Sequence, residues 1–176
     1  MIRRTMEVVP YNPNWIKEFE VEKNRINAIM EKEIIDIHHI GSTSIPGIYA
    51  KPVIDLLIAV IDIQAIDQYD RQMATLGYIP KGENGIKGRR FYLKGECKRT
   101  HHVHVFQANN PEIERHLIFR DYMIAHPEDA KAYEKLKKDL AAKFRYDNEG
   151  YCAGKNDFIQ EMDHKAELWW KNSKKI

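Results

Sequence analysis

Apolar residues first recur at helical spacing between Trp15 and Lys32, at Trp15, Phe19, Ile26, Ile29 and Met30, with charged residues on the other face. This predicts an amphipathic helix packed on a sheet, with Asn14 as its cap after the turn residues Tyr11-Asn12-Pro13. Ile34 to Ile40 reads as a strand. Val53 to Ile61 is apolar on both faces, as a central strand is, except for one acid at Asp55. Asp62 is placed as the cap of a helix that runs to about Leu76 and stops at Gly77. Tyr78-Ile79-Pro80 leads into a flexible loop, Lys81 to Gly85. Arg89 to Lys94 and His101 to Gln107 are two further strands joined by a polar turn, a hairpin.

Beyond Pro111 the period becomes wholly helical. One helix is expected over Pro111–Ala125. The next opens at Pro127 and buries Ala130, Tyr133, Leu136, Leu140 and Phe144. The last runs from about Tyr151 to Lys171, and Lys171 to Ile176 reads as a solvated tail. The class is α+β, with a mixed-sheet core over 1–110 and a helical annex over 111–176 that packs as part of one compact domain.

The net charge of +2 over 176 residues supplies no global basic field, and no long basic stripe is present, so nucleic acid is not the expected partner. Cys97 and Cys152 fall in no metal-ligand spacing and read as reduced thiols. Met1 to Thr5 is followed by no apolar signal core, and no apolar run is long enough to span a bilayer. A cytoplasmic protein without a membrane segment is expected.

The candidate chemistry centres on the stretch from His39 to Asp55. Gly41 permits close backbone approach, and Ser42, Thr43 and Ser44 add hydroxyl and amide donors suited to phosphate oxygens. A carboxylate inside an apolar strand is costly unless it is paired or binds a cation. Strand alternation puts His102, His104 and Phe106 on one face of their strand. If the two strands are neighbours, Asp55 meets His102 or His104, giving a metal-ligand group or a base with its orienting partner. His39 is a further candidate, whereas His38 and His101 read as structural. In the annex Tyr133 and Lys137, and likewise Tyr151 and Lys155, are four apart on one helical face. With Arg120 they suit a nucleotide, phenol on base and cation on phosphate.

Several stretches together resemble the GrpB family: Val9 to Trp15, His39 to Gly47, Ala50 to Asp55, His102 to Val105, Phe119 to Tyr122, Tyr133 to Lys137 and Tyr151 to Lys155. The resemblance covers nearly the whole chain. It implies a nucleotidyltransferase fold of the DNA polymerase β kind, in which a Gly-Ser loop holds a triphosphate and carboxylates on two strands hold magnesium. Members of the family fused to dephospho-coenzyme-A kinase domains point to nucleotide or cofactor metabolism. Gly41-Ser42 and Asp55 match the pattern. Leu57 stands where a second carboxylate is expected, and the later strand offers His102 and His104 in place of a third.

Two readings follow. In the first the chain is an enzyme: the Gly41-Ser42 loop holds a nucleotide or phosphorylated metabolite. Asp55, with His104 and His102, holds one divalent metal (magnesium, manganese or zinc). Lys51, Arg120, Lys137 and Lys155 neutralise phosphate charge, and Tyr133 or Tyr151 stacks on a base. In the second the pocket keeps its phosphate loop but has lost the metal chemistry, and binds a nucleotide-like ligand without turning it over. Nothing in the chain speaks to the acceptor or to the oligomeric state.

Overall fold

A computed structural model describes residues 4–175; Met1 to Arg3 and the end of the expected tail, Ile176, lie outside the described residues. In chain order the elements are α1 (Asn14–Met30), β1 (Ile34–Ile40), β2 (Ile54–Val60), α2 (Asp70–Thr75), β3 (Tyr78–Pro80), β4 (Arg89–Lys94), β5 (His101–Gln107), α3 (Pro111–Ala125), α4 (Pro127–Lys143) and α5 (Asn148–Ser173). This is the expected α+β class: a five-stranded mixed sheet and helices. The chain forms two compact units that do not follow sequence order. One comprises Pro13–Ile40 and Val53–Ile113, the other Met1–Asn12, Gly41–Pro52 and Glu114–Ile176.

In the sheet unit the strand order is β1-β2-β5-β4-β3. β2 is antiparallel to β1 and parallel to β5, while β5, β4 and β3 alternate in direction. The central strand β2 is buried throughout except at Asp55. The helix α1 lies on the face that carries His39, whose ring stacks on Phe19 at 4.8 Å. On that side Glu22 of α1 is buried. It accepts hydrogen bonds from Tyr78 Oη at 2.6 Å, Lys94 Nζ at 3.1 Å and Arg25 at 3.0 Å, which offset the cost of an interior carboxylate.

One expectation changes here, and one is extended. The single helix from Asp62 is a 3-10 segment, Ile63–Tyr69, followed by the short α2. Asp62 does cap it, accepting from the Gln64 amide. Tyr78-Ile79-Pro80, which leads into the loop from Lys81 as expected, is also a short edge strand. Proline is tolerated there because one side of an edge strand has no ladder to donate to.

In the helical unit the buried stripe of α4 is Ala130, Tyr133, Glu134, Lys137, Leu140 and Ala141. Charged Glu134 and Lys137 thus stand inside, and the expected Leu136 and Phe144 pack half-buried against Met6, Leu140, Ala141 and Tyr151. α4 and α5 come close at Gly154, where a Cβ would sit 2.4 Å from Leu140 Cδ2. Ile45, Ile48, Tyr122, Met123, Tyr133, Met162 and Ala166 form a core within this unit.

Candidate functional site

Within the sheet unit, the parallel register pairs Asp55 with His102 and Leu57 with His104. Side chains at paired positions of a sheet share a face, so the acid and both imidazoles project from the same side. That side is opposite the α1 layer. His39 pairs with Leu56, one position out of phase, and faces α1, so it does not join the group. His38 instead pairs with Asp36 at 3.2 Å.

One carboxylate oxygen serves both imidazoles. Asp55 Oδ1 lies 3.3 Å from His102 Nδ1 and 3.1 Å from His104 Nε2. The Asp55 side chain is 22 % exposed, so the group is reachable from outside. Burial opposes ionisation of Asp55, but the hydrogen bonds from His102 and His104 outweigh it and hold the carboxyl below the ordinary range. The three ligand atoms lie within 4.8 Å of one another. Zinc bonds of about 2.0–2.1 Å at tetrahedral angles place ligand atoms about 3.3 Å apart. The two oxygen–nitrogen separations fit that edge, and the donor set suits one dication. It does not suit two, because Leu57 is fully buried and brings no charge.

Arg89, which the sequence reading passed over, shapes this group. It lies on β4 on the same face as Phe91, whose ring packs 5.4 Å from His102 and 5.2 Å from His104. Its guanidinium sits over Phe91 at 4.7 Å and donates to the Glu83 carbonyl at 3.1 Å and the Asn84 carbonyl at 2.8 Å. A third nitrogen approaches His104 Nδ1 at 3.4 Å. Guanidinium only donates, so Nδ1 is the acceptor, and Nε2 carries the proton that points at Asp55. Metal-ligating imidazoles ordinarily turn their second nitrogen as a donor toward an acceptor; Arg89 presents the reverse. The alternation of Arg89 with Phe91 was the signal available for finding it.

The remaining candidates lie in the helical unit. Gly41 has φ 75° and ψ −177°, a conformation that is essentially reserved for glycine. It opens a 3-10 turn over Ser42–Ser44. The Ser44 amide and hydroxyl both donate to the Gly41 carbonyl, so they are used within the turn. Thr43 is buried, whereas the Ser42 hydroxyl has no hydrogen-bond partner among the described residues.

The following segment is pinned by α4. Glu134 accepts from the Tyr49 amide at 2.8 Å, Lys137 donates to the Tyr49 carbonyl at 2.7 Å, and Lys138 lies over the Tyr49 ring. Lys137 Nζ also sits 4.5 Å from the centre of the Tyr133 ring and is 2 % exposed. Lys51 and Lys155 both lie over Tyr151, at 4.7 and 4.5 Å. Burial, the charge of Lys155 and that of Lys51 bring Lys137 down to about 7, against an opposing pull from Glu134. Tyr133 and Tyr151 are buried, with Phe158 stacked on Tyr133 at 5.6 Å, so neither ring offers an exposed platform for a base. Arg120 bonds Asp121 at 2.9 Å. Lys51, Lys137, Lys155 and the two tyrosines are therefore brought together.

Among known proteins, the family model described as GrpB protein matches residues 5–165. UPF0157 protein YqkA of Bacillus subtilis is 52% identical over 169 residues, which is 96% of this chain and 49% of that protein. The chain thus spans about half the length of YqkA. Glutamate-rich protein GrpB of Alkalihalophilus pseudofirmus is 32% identical over 160 residues, covering 88% of this chain and 92% of that one. The crystal structure of conserved protein GrpB from Enterococcus faecalis superposes with TM-score 0.89 at 39% identity, over 93% of this chain and 99% of that one. Among the described residues no helix is long and apolar enough to cross a membrane.

Proposed function

The chain belongs to the GrpB family, and from that premise we propose that it is a nucleotidyltransferase-like protein acting on a nucleotide or phosphorylated small molecule with a single divalent metal. The observation that carries this reading is the convergence of His102 and His104, 47 and 49 residues away in sequence, on one carboxylate oxygen of Asp55. Imidazole nitrogen is a softer donor than carboxylate oxygen, so an ion softer than magnesium, zinc above manganese, suits this set. When bound, such an ion supplies charge stabilisation at a phosphate oxygen.

The chain's own residues take the following roles. Asp55 contributes the anionic ligand, and His102 and His104 the nitrogen ligands. Gly41, Ser42, Thr43 and Ser44 form the turn assigned to phosphate, with the Ser42 hydroxyl as its uncommitted donor. Lys51, Lys137, Lys155 and Arg120 provide cationic charge. The reaction class is nucleotidyl transfer or a related phosphoryl transfer to a small acceptor.

A second reading, a nucleotide- or phosphate-binding module without turnover, is favoured by two observations. Leu57 is buried and uncharged at the position of the expected second acid, and Arg89 presents a donor to His104. A thermal-shift screen of nucleoside triphosphates with Mg²⁺, Mn²⁺ and Zn²⁺ separates the two. Stabilisation that requires the metal and vanishes in Asp55→Ala supports the enzyme. Stabilisation that needs no metal and survives Asp55→Ala supports the binder. No response to any phosphate ligand refutes both.

A further inference from the structure

Lys51, Lys137 and Lys155 raise a question that a metal reading leaves untouched. Three lysines gather on two buried tyrosines, and Lys137 is itself interior. Among the described residues Lys137 and Lys155 make no ion pair. Glu134, the acid nearest in effect to Lys137, is occupied by the Tyr49 amide and by Lys131 at 3.4 Å. The Tyr151 hydroxyl is buried with no hydrogen-bond partner. Gathering like charges in a poorly hydrated place is unfavourable by itself. It becomes favourable when a multiply charged anion arrives. The nearby hydroxyl supplies one more donor.

We propose that Lys51, Lys137, Lys155 and the Tyr151 hydroxyl form a binding site for a dianionic phosphate group, and that the phosphate is taken up together with a proton that Lys137 receives. This deepens the reading above, on which it rests, by naming the ligand group and its linkage to pH. A carboxylate brings one negative charge and two acceptor oxygens, whereas a phosphate dianion brings two charges and enough acceptor oxygens for all the donors. In place of stacking on a base, Tyr133 and Tyr151 hold the ammonium groups through their ring faces.

The groups facing Lys137 come from three segments. Glu134 is on its own helix, Lys51 and the Tyr49 carbonyl come from the 41–52 segment, and Lys155, with Tyr151 and Cys152 beside it, comes from α5. A neutral amine still donates to the Tyr49 carbonyl, so the segment stays pinned when Lys137 is uncharged. Lys137 lies near 7 because it is buried and faces Lys155 and Lys51. An anion placed among these cations reverses that balance, and the amine takes a proton.

The test is calorimetric titration of the intact chain with inorganic phosphate at pH 8, with chelator present, in two buffers of different ionisation enthalpy. Inorganic phosphate is already the dianion at that pH, so the proton count reports on the protein. The expected result is saturable binding with uptake of most of a proton, and affinity that falls as pH rises from 7 to 9. Lys137→Met abolishes the uptake. Lys155→Met weakens binding at least tenfold and reduces the uptake without abolishing it, because Lys137 loses one of the two charges that lower it. Circular dichroism establishes that each variant is folded, and if Lys137→Met is not, the wild-type uptake and Lys155→Met decide the matter. Absence of phosphate binding, binding without uptake, or unchanged affinity in Lys155→Met overturns the proposal. The metal reading is scored separately. Phosphate binding is expected to survive Asp55→Ala, so loss of metal response with phosphate binding intact refutes the metal site alone. The opposite pattern refutes the phosphate site alone.

Discussion

Replacing Arg89 by methionine is expected to tighten metal binding at the Asp55 group. In the native arrangement His104 Nδ1 accepts from Arg89, so Nε2 holds a proton. A metal needs the Nε2 lone pair. Binding it moves the proton to Nδ1, where it faces a guanidinium nitrogen 3.4 Å away that cannot accept it. The Arg89 contact must therefore break. A hydrogen bond with a charged partner contributes about 1.5–3 kcal/mol, and this one is long, so the low end applies. Removing the competition by about 1.5 kcal/mol lowers the Kd about tenfold. The substitution also removes donors to the Glu83 and Asn84 carbonyls, so a loss of stability of about 1–3 kcal/mol accompanies it. Titration of Mn²⁺ and Zn²⁺ followed by calorimetry gives the Kd, and urea unfolding gives the stability. A folded Arg89→Met protein whose Kd is unchanged, or weaker, refutes the tautomer reasoning.

Three further outcomes follow from the geometry. Gly154→Ala gains helix propensity of up to about 1 kcal/mol but drives a Cβ onto Leu140, so a net loss of about 1 kcal/mol or more is expected in chemical denaturation; a gain contradicts the close α4–α5 approach. The Asp55 carboxyl is held below its ordinary range, so its contribution is complete above about pH 4 and is lost as pH falls further. The stability difference between wild type and Asp55→Asn is expected to shrink from pH 6 to pH 3, and a difference that grows on acidification opposes the assignment. Glu134→Ala removes the acceptor of the half-buried Tyr49 amide and is expected to destabilise by about 1–3 kcal/mol, with faster amide exchange at Tyr49; protection unchanged by the substitution excludes the pinning role.

Much of the sheet was legible because strand alternation is local. The faces of Asp55, His102 and His104 follow from counting along β2 and β5, and their meeting needed only that the strands be neighbours. That adjacency is itself a long-range fact. The 40 residues between the end of β2 at Val60 and the start of β5 at His101 do not announce that the two strands pair, and His39 went astray for the same reason: its register with Leu56 turns it to α1. β3 was missed because three residues ending in proline carry a turn signal stronger than any alternation. A hydropathy pattern ranks lysine and glutamate as exposed, so it does not mark Lys137 and Glu134 as interior. Only the long-range bonds to the Tyr49 backbone explain why both are interior. The spacing of Tyr133 with Lys137, and of Tyr151 with Lys155, was visible; that the lysines lie over the tyrosine rings was not.

The metal site is tested most directly by soaking crystals of the protein with Zn²⁺ and collecting anomalous data on both sides of the zinc absorption edge. The expected result is one edge-dependent peak about 2.0–2.2 Å from a carboxylate oxygen of Asp55, His102 Nδ1 and His104 Nε2, with the His104 ring freed from Arg89. A protein that takes up zinc only at other residues, with Asp55 still holding both imidazoles, contradicts it.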